Sequence, residues 1–372
     1  MPVRAAAVVV GAISAVVSGC APTGESVELR VAAAVAVSGA LRVEPSARSH
    51  ATGDDAWDVF VCDVPAAVSD PAFGGLPLRL DLRVDDVAAI LNRHVTEYFA
   101  TLSHGLYRPV FTPAGVVAIA PTDSSQACVD AALALADSTA NGVLVVGNAE
   151  QAVGQPGGFA TMGDECDDPP CRAVETRRAV YVGASDFNPV WGDRPPMDLI
   201  EHEIGHALGW PHSGYDEAQP APHRSALDVM SDSAAPRMID ASRRDAPDTL
   251  AINRVASGWL PIGDVAVLSP ASGSSVRLEP STGAQGTRLA VVPLGEDEFL
   301  TIEWLSADGY DDHLPHPGVA VHHAVGVGAE RTLTPVVGDE PYLNLLDVGE
   351  SVNTNGVRIT VVAVGQVSVT ST

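Results

Sequence analysis

The first half of the chain alternates between strand-like and helix-like patterns of apolar residues. Residues 78–84 alternate with period two, which predicts a half-buried strand, and an aspartate at position 85 or 86 then caps a predicted helix that runs to about residue 102. The Ala- and Leu-rich residues 128–136 predict a second helix. Short apolar runs predict further strands at residues 116–120, 142–146, 157–162 and 179–183. This alternation predicts an α/β layer.

The second half begins with helices and ends in strands. Helical spacing returns at residues 197–208 and 248–259, and short Val-, Leu- and Thr-rich strands follow Pro261, separated by Gly, Pro, Ser and Asp turns. This pattern predicts a small antiparallel β-sandwich. We therefore predict an α+β protein. Its four parts are a signal peptide at 1–19, a tether and N-terminal segment at 20–75, a globular domain at 76–262 and the sandwich at 263–372.

Composition narrows the classes of partner. The chain has 372 residues, 46% of them hydrophobic, so it is long enough to bury a sizeable core. Its 47 acidic side chains outnumber 21 basic ones, and the resulting net charge of −26 repels nucleic acid and anionic lipid headgroups. We therefore expect neither of them to bind the protein surface, and we expect a monomer.

The N-terminus has the pattern of an export signal. Arg4 precedes an apolar run over residues 5–17, which is too short to span a bilayer as a mature helix. The following Val17-Ser18-Gly19-Cys20 resembles a bacterial lipobox, which implies cleavage before Cys20 and lipidation of that cysteine. The predicted location is extracytoplasmic, anchored to the membrane through the lipid alone. An ordinary secretory signal with an incidental cysteine is the alternative.

Export makes disulfides the first expectation for the other four cysteines, Cys62, Cys128, Cys166 and Cys171. Four cysteines allow three pairings. Closing the short loop between Cys166 and Cys171 costs little chain entropy, so we favour Cys166–Cys171 together with Cys62–Cys128. The close pair could instead bind a metal ion, but no second close pair exists to complete a four-thiolate site.

Candidate chemistry is concentrated in the run His202-Glu203-Ile-Gly-His206-Ala-Leu-Gly209-Trp-Pro211-His212. Two histidines four residues apart in a helix lie about 40° apart around the axis and about 6 Å apart along it, so both can reach one ion. Glu203 adjoins the first histidine and can lean over the same ion, where a base can take a proton from a bound water.

The third histidine can join only if the helix stops. A continuing helix would place His212 about 240° around from His206, facing away from the ion. Gly209 tolerates positive φ and Pro211 disfavours helix continuation, so the chain can turn back between them. Three protein ligands leave a fourth position for water, which is typical of a catalytic zinc site.

This run resembles the metzincin motif HExxHxxGxxH. Residues 227–231, Leu-Asp-Val-Met-Ser, resemble the methionine turn below the zinc in that clan, which implies a role for Met230. Weaker similarity to gametolysin-like and immune-inhibitor-A-like peptidases extends over residues 78–325. The resemblance implies a zincin catalytic domain at 76–262, built from a mixed twisted sheet and helices. It also implies one catalytic Zn²⁺, Glu203 as general base and protein or peptide substrates.

The resemblance has departures and rivals. Some metzincins carry a tyrosine ligand two residues after the methionine, where this chain has Asp232. Cys62-Asp63-Val64-Pro65 faintly resembles a propeptide cysteine switch, although that role would leave Cys128 unpaired. The rival to a zinc metalloendopeptidase is a lipid-anchored, non-catalytic binding or adhesion module that keeps zinc for structure. A zinc amidase acting on cell-wall peptide would share the chemistry but not the substrate.

Two other groups could bind metal, but structural roles are favoured for both. Adjacent strand residues point to opposite faces, so His322 and His323 are expected to be core or surface residues, as are His313 and His316. Acidic pairs could bind calcium, but a solvated face is the default reading in so acidic a chain, and no pattern supports a calcium site. Those pairs are Asp54-Asp55, Asp85-Asp86 and Asp311-Asp312.

Overall fold

The fold was obtained as a computed structural model, which describes residues 52–64, 69–70, 76–77, 79–120, 122–149, 158–161, 177–214, 225–337 and 345–372. The predictions for Cys20, Cys166 and Cys171 fall on residues outside these ranges. The described residues form a mixed α+β fold with several sheets and few helices, as the sequence pattern predicts. No helix within the described ranges is both long and apolar enough to cross a bilayer.

A five-stranded sheet organises the first half. Its strands are β1 (Gly53–Asp63), β4 (Tyr107–Ala118), β5 (Gly142–Gly147), β6 (Gly158–Thr161) and β7 (Arg178–Val182). Strands β2 (Ser69–Asp70) and β3 (Leu76–Pro77) pair antiparallel in a separate two-stranded sheet. The order is β4-β1-β5-β7-β6. The first four strands run parallel, and β6 is antiparallel to β7 at the end of the sheet.

Strand β1 lies inside this sheet, between β4 and β5. The sequence pattern placed the start of the domain at residue 76. The sheet therefore includes residues that precede the predicted start. A buried ion pair joins Asp55 of β1 to Arg178 of β7, and Tyr107 of β4 donates a 2.7 Å hydrogen bond to the same carboxylate. The strand predicted at residues 78–84 is wrong: Arg79 forms an isolated bridge to Ala149, and the next element is a helix that begins at Val84.

Helices cover both faces of the sheet. Helix α1 (Val84–Leu102) and helix α3 (Asp198–Ala207) bury one face, and helix α2 (Ser125–Leu135) buries the other. A disulfide joins Cys62 of β1 to Cys128 of α2, which confirms the predicted pairing of these two cysteines. With its thiol in this bond, Cys62 does not serve as a cysteine switch.

The second half is a sandwich preceded by two short helices, α4 (Ala235–Ile239) and α5 (Ala251–Ala256). The strands are β8 (Val265–Val267), β9 (Ser274–Arg277), β10 (Leu289–Pro293), β11 (Glu298–Leu305), β12 (Gly318–Val325), β13 (Thr332–Pro335), β14 (Leu345–Leu346), β15 (Ser351–Thr354), β16 (Val357–Ala363) and β17 (Gln366–Ser371).

These strands form two sheets. One sheet has the order β13-β12-β11-β10-β8 with β14 also paired to β12, and the other has the order β15-β16-β17-β9. The predicted antiparallel pairing is wrong at one place, because β8 and β10 run parallel.

The six-stranded sheet is buried on both faces. One face packs on the four-stranded sheet through side chains such as Ile302, Val321 and Ile359. The other face packs on α5, where Leu250 and Ile252 meet side chains of β10, β11 and β13. The sandwich therefore packs on α5, the short helix that precedes it in the chain, through a buried apolar layer.

Candidate metal centre

Helix α3 brings His202 and His206 to one face. Their Nε2 atoms are 3.1 Å apart, as expected for residues separated by four positions on a helix. Both rings are at least partly shielded from solvent, since α3 packs on the sheet. The helix predicted from the apolar spacing at 197–208 is thus confirmed as Asp198–Ala207.

The turn after α3 returns the chain to the same point. Gly209 adopts φ +83°, its N–H donates to His206 O, and Trp210 N–H donates to Gly205 O. These two bonds are the Schellman motif, which ends a helix and satisfies its last carbonyls. His212 then lies with its Nε2 2.9 Å from the Nε2 of His206, so the three imidazoles converge as predicted.

The outer nitrogens of the first two rings are held by backbone carbonyls. His202 Nδ1 lies 2.7 Å from Val229 O, and His206 Nδ1 lies 2.9 Å from Trp210 O. A carbonyl only accepts, so each Nδ1 carries the proton and each Nε2 presents a lone pair inward. Zinc bonds of about 2.0–2.1 Å in a tetrahedron place nitrogen ligands about 3.3 Å apart, close to the separations seen here. The three residues therefore fit a metal ion such as zinc.

Glu203 follows His202 in helix α3 and is almost fully buried. Burial raises the pKa of its carboxyl group to about 8, because desolvation disfavours the charged form. A dication nearby would act in the opposite direction, since it favours the carboxylate. Glu203 also abuts strand β6: a Cβ atom added to Gly158 would lie 2.8 Å from Glu203 Oε1.

Met230 lies under α3 at the level of the histidines. A Cβ atom added to Gly205, between the two helical histidines, would come within 2.4 Å of Met230 Sδ and 2.8 Å of Trp210 Cε3. Both neighbouring side chains are completely buried. The methionine therefore packs against the helix backbone at a point where only glycine leaves room.

Asp228 is a buried carboxylate that local sequence patterns do not reveal, and it contacts Ser213, the residue after the third histidine. Asp228 accepts hydrogen bonds from Ser213 Oγ at 2.5 Å, Thr249 Oγ1 at 3.0 Å and the backbone N–H of Leu250 at 3.3 Å. Burial raises the pKa of Asp228 to about 6, although these hydrogen bonds oppose the shift. Asp228 belongs to the segment of residues 227–231. It therefore links that segment to Ser213, the residue after His212, and to Leu250 at the start of α5.

An edge strand of the sandwich contacts Ser213 and Gly214, the two residues that follow His212. Gly214 N–H donates to Leu333 O of strand β13 at 2.8 Å, and Ser213 forms a parallel bridge with Leu333. On the opposite side, Ser213 N–H donates to Met230 O at 3.0 Å. The two residues that follow His212 are therefore held between the methionine turn and an edge strand of the sandwich.

The other histidines singled out in the sequence do not form a second metal group among the described residues. His322 is buried inside the sandwich sheet, whereas His323 points to the opposite face and lies 2.8 Å from Glu298. His313 Nε2 lies 2.8 Å from Ala226 O, and His316 lies 3.2 Å from Asp347. These are structural and surface roles, as the strand geometry predicts.

The acidic pairs likewise contribute to structure. Asp55 is paired with Arg178, and Asp85 and Asp86 lie in the first turn of α1, where negative charge favours a helix N-terminus. Asp311 is buried and accepts the backbone N–H of Asp248 at 3.0 Å. Within the described ranges, none of these pairs forms a group that could hold a cation.

Comparisons with known proteins add little to this geometry. No protein-family model matches the chain, and no curated protein matches it. Matches among solved structures include one described as "Structure of a chaperone-substrate complex", with 16% sequence identity and a TM-score of 0.23. It covers 43% of this chain and 27% of that chain, and a likeness at this level carries no argument about fold or function.

Proposed function

We propose that this protein is a zinc-dependent metalloendopeptidase of the metzincin type. The observation that carries the proposal is the convergence of His202, His206 and His212 on one point, with the buried Glu203 next to His202 in the same helix. Three neutral imidazoles suit zinc, and three protein ligands leave a coordination position for water or substrate. A structural zinc site is usually closed by four protein ligands and has no use for an adjacent general base.

A peptide is the substrate class that the surroundings favour. Strand β6 lies at the end of the five-stranded sheet, and within the described residues no strand pairs with its outer side. An extended peptide can bind such an edge through main-chain hydrogen bonds. Since Gly158 of this strand touches Glu203, a peptide added there would run past the catalytic carboxylate.

The histidines and Glu203 would have separate roles in peptide-bond hydrolysis. The three histidines would hold a zinc ion, which when bound supplies Lewis acidity for a peptide carbonyl and for an attacking water molecule. Glu203 takes the proton from that water as carboxylate and returns it to the departing amine nitrogen. The bonds from His202 and His206 to Val229 O and Trp210 O hold each ring in one tautomer throughout.

Export and lipidation at Cys20 stay predictions, because residues 1–51 lie outside the described ranges. Together with the proposed activity they would place a monomeric peptidase outside the cytoplasm, attached to the membrane through its N-terminal lipid. Its substrates would then be proteins or peptides in that compartment.

Glu203→Gln and His212→Ala, compared with the wild type, test the proposal. We expect the purified wild type to contain one zinc per chain and to cleave casein in a chelator-sensitive manner. Glu203→Gln should keep the zinc and lose cleavage, since the amide cannot accept the proton, whereas His212→Ala should lose both. Wild-type turnover by Glu203→Gln would contradict the assigned role. Bound zinc without cleavage in the wild type would support the non-catalytic module instead.

A further inference from the structure

We infer that Gly158 positions the Glu203 carboxylate, and that its missing side chain is what permits the catalytic placement of that group. The inference rests on the proposed function. A Cβ atom at residue 158 would lie 2.8 Å from Glu203 Oε1, 2.9 Å from Cγ and 3.1 Å from Cδ. The end of the Glu203 side chain therefore packs against the backbone of β6 at Gly158.

The sheet determines which residue of β6 faces the glutamate. Gly158 pairs with Val182 of β7, and side chains alternate along the strand. Phe159 points away and stacks on Tyr181, with ring centroids 5.4 Å apart, whereas Ala160 packs with Gly158 on the side of α3. Residues 158 and 160 therefore form the surface that α3 meets, and the residue without a side chain is the one opposite Glu203.

Backbone conformation does not require glycine at this position. Gly158 is absent from the set of described glycines with positive φ, so an alanine could adopt its conformation. The requirement is one of space. Because the atoms that would clash belong to the flexible end of Glu203, an added methyl group can be accommodated by moving the carboxylate.

We therefore expect an added methyl group at residue 158 to reduce activity and to leave the stability of the fold unchanged. The backbone of β6 is held by its pairing with β7 over residues 158–161, so the glutamate side chain is the part that moves. A displacement of about 1 Å in a catalytic group can reduce the rate about 100-fold. Zinc binding should persist, because the three atoms nearest to the added methyl group all belong to Glu203 and none to the three histidines.

The test is Gly158→Ala, with two matched controls. Gly263→Ala adds a methyl group where nothing lies within 4 Å, and Gly295→Ala adds one at ordinary contact distance, 3.5 Å from Glu298 Cβ. For Gly158→Ala we expect kcat to fall about 100-fold, with KM and zinc affinity close to the wild-type values. Both controls should keep wild-type kcat.

Two readouts do not depend on the activity of the zinc-loaded enzyme. The thermal midpoint of metal-free Gly158→Ala should match that of the metal-free wild type, and its crystal structure should show the Glu203 carboxylate displaced from β6. Wild-type kcat, an unmoved carboxylate, or a marked loss of stability or zinc affinity would each overturn the inference. An inactive wild type would instead refute the proposed function, and the position of the carboxylate would still test the role of Gly158.

Discussion

Replacing Gly205 with alanine sets two well-known effects against each other. The residue lies within helix α3, where alanine normally stabilises a helix by about 1 kcal/mol relative to glycine. The same substitution would place a methyl group 2.4 Å from Met230 Sδ and 2.8 Å from Trp210 Cε3. Helix propensity therefore predicts a gain in stability, and packing predicts a loss.

The structure indicates that packing prevails. Met230 and Trp210 are fully buried, and Trp210 is held by a 2.7 Å hydrogen bond to Ser257 and by contact with the Trp259 ring. Overpacking in a core costs about 1–3 kcal/mol, and a clash with two confined side chains belongs at the upper end of that range. Subtracting the helical gain leaves a net destabilisation of about 2 kcal/mol.

Urea and thermal unfolding of the metal-free protein would measure this difference. We expect the midpoint temperature to fall by about 5 °C for Gly205→Ala, since 1 kcal/mol corresponds to about 2–4 °C in a protein of a few hundred residues. Gly263→Ala, which meets open space, is the control and should be nearly neutral. Combining Gly205→Ala with Met230→Ala should cost less than the sum of the two single changes, because the second removes the clash with Met230 and leaves only the one with Trp210. A Gly205→Ala variant as stable as the wild type, or more stable, would refute the reasoning.

Three further outcomes are expected. Replacing both Cys62 and Cys128 with alanine should lower the free energy of unfolding by about 4 kcal/mol, because the bond closes a loop with a sequence separation of 66; a loss below about 1 kcal/mol in urea would contradict this. Burial lowers the pKa of His322 from 6.5 to about 4, so the unfolded chain binds the proton first and stability falls as pH drops from 6.5 to 4. Relative to His322→Leu, the wild type should lose about 3 kcal/mol over that range in urea titrations, and identical pH profiles would exclude the effect. Zinc at 100 times its Kd should stabilise the wild type by about 2.7 kcal/mol, and a similar thermal shift in His212→Ala would argue against His212 as a ligand.

Local features of the site are those that the sequence predicted most closely. The four-residue spacing of His202 and His206 depends only on helix geometry, and the turn at Gly209 depends only on which residue tolerates positive φ. The Cys62–Cys128 pairing followed from counting cysteines and from assigning the closest pair to each other. The helix and turn predictions used short-range rules that hold whatever the rest of the chain does, whereas the cysteine pairing followed by elimination.

Predictions that depended on neighbours in space were less successful. The period-two pattern at residues 78–84 suggested a strand, but in the part of this segment that the structure describes Arg79 makes one isolated bridge before α1 begins. Strand β1 lies inside the sheet, between β4 and β5, although the sequence pattern assigned its residues to the tether and N-terminal segment that precede the domain. Apolar periodicity shows that a segment is buried, but it does not specify which strand pairs with it.

The amino-acid sequence by itself determined the metal-binding motif, the point at which α3 ends and the approximate division into a mixed first half and a β-rich second half. Only the tertiary structure showed that Asp228 braces Ser213, that Leu333 of the sandwich holds Gly214, and that Gly158 rests against Glu203. The physical reason is the number of residues along the chain that separates the interacting groups. Helical spacing and turn conformation are set within a few residues, whereas Gly214 and Leu333 are far apart in the sequence and meet only in the folded protein, where Leu333 packs in the same apolar cluster as α5.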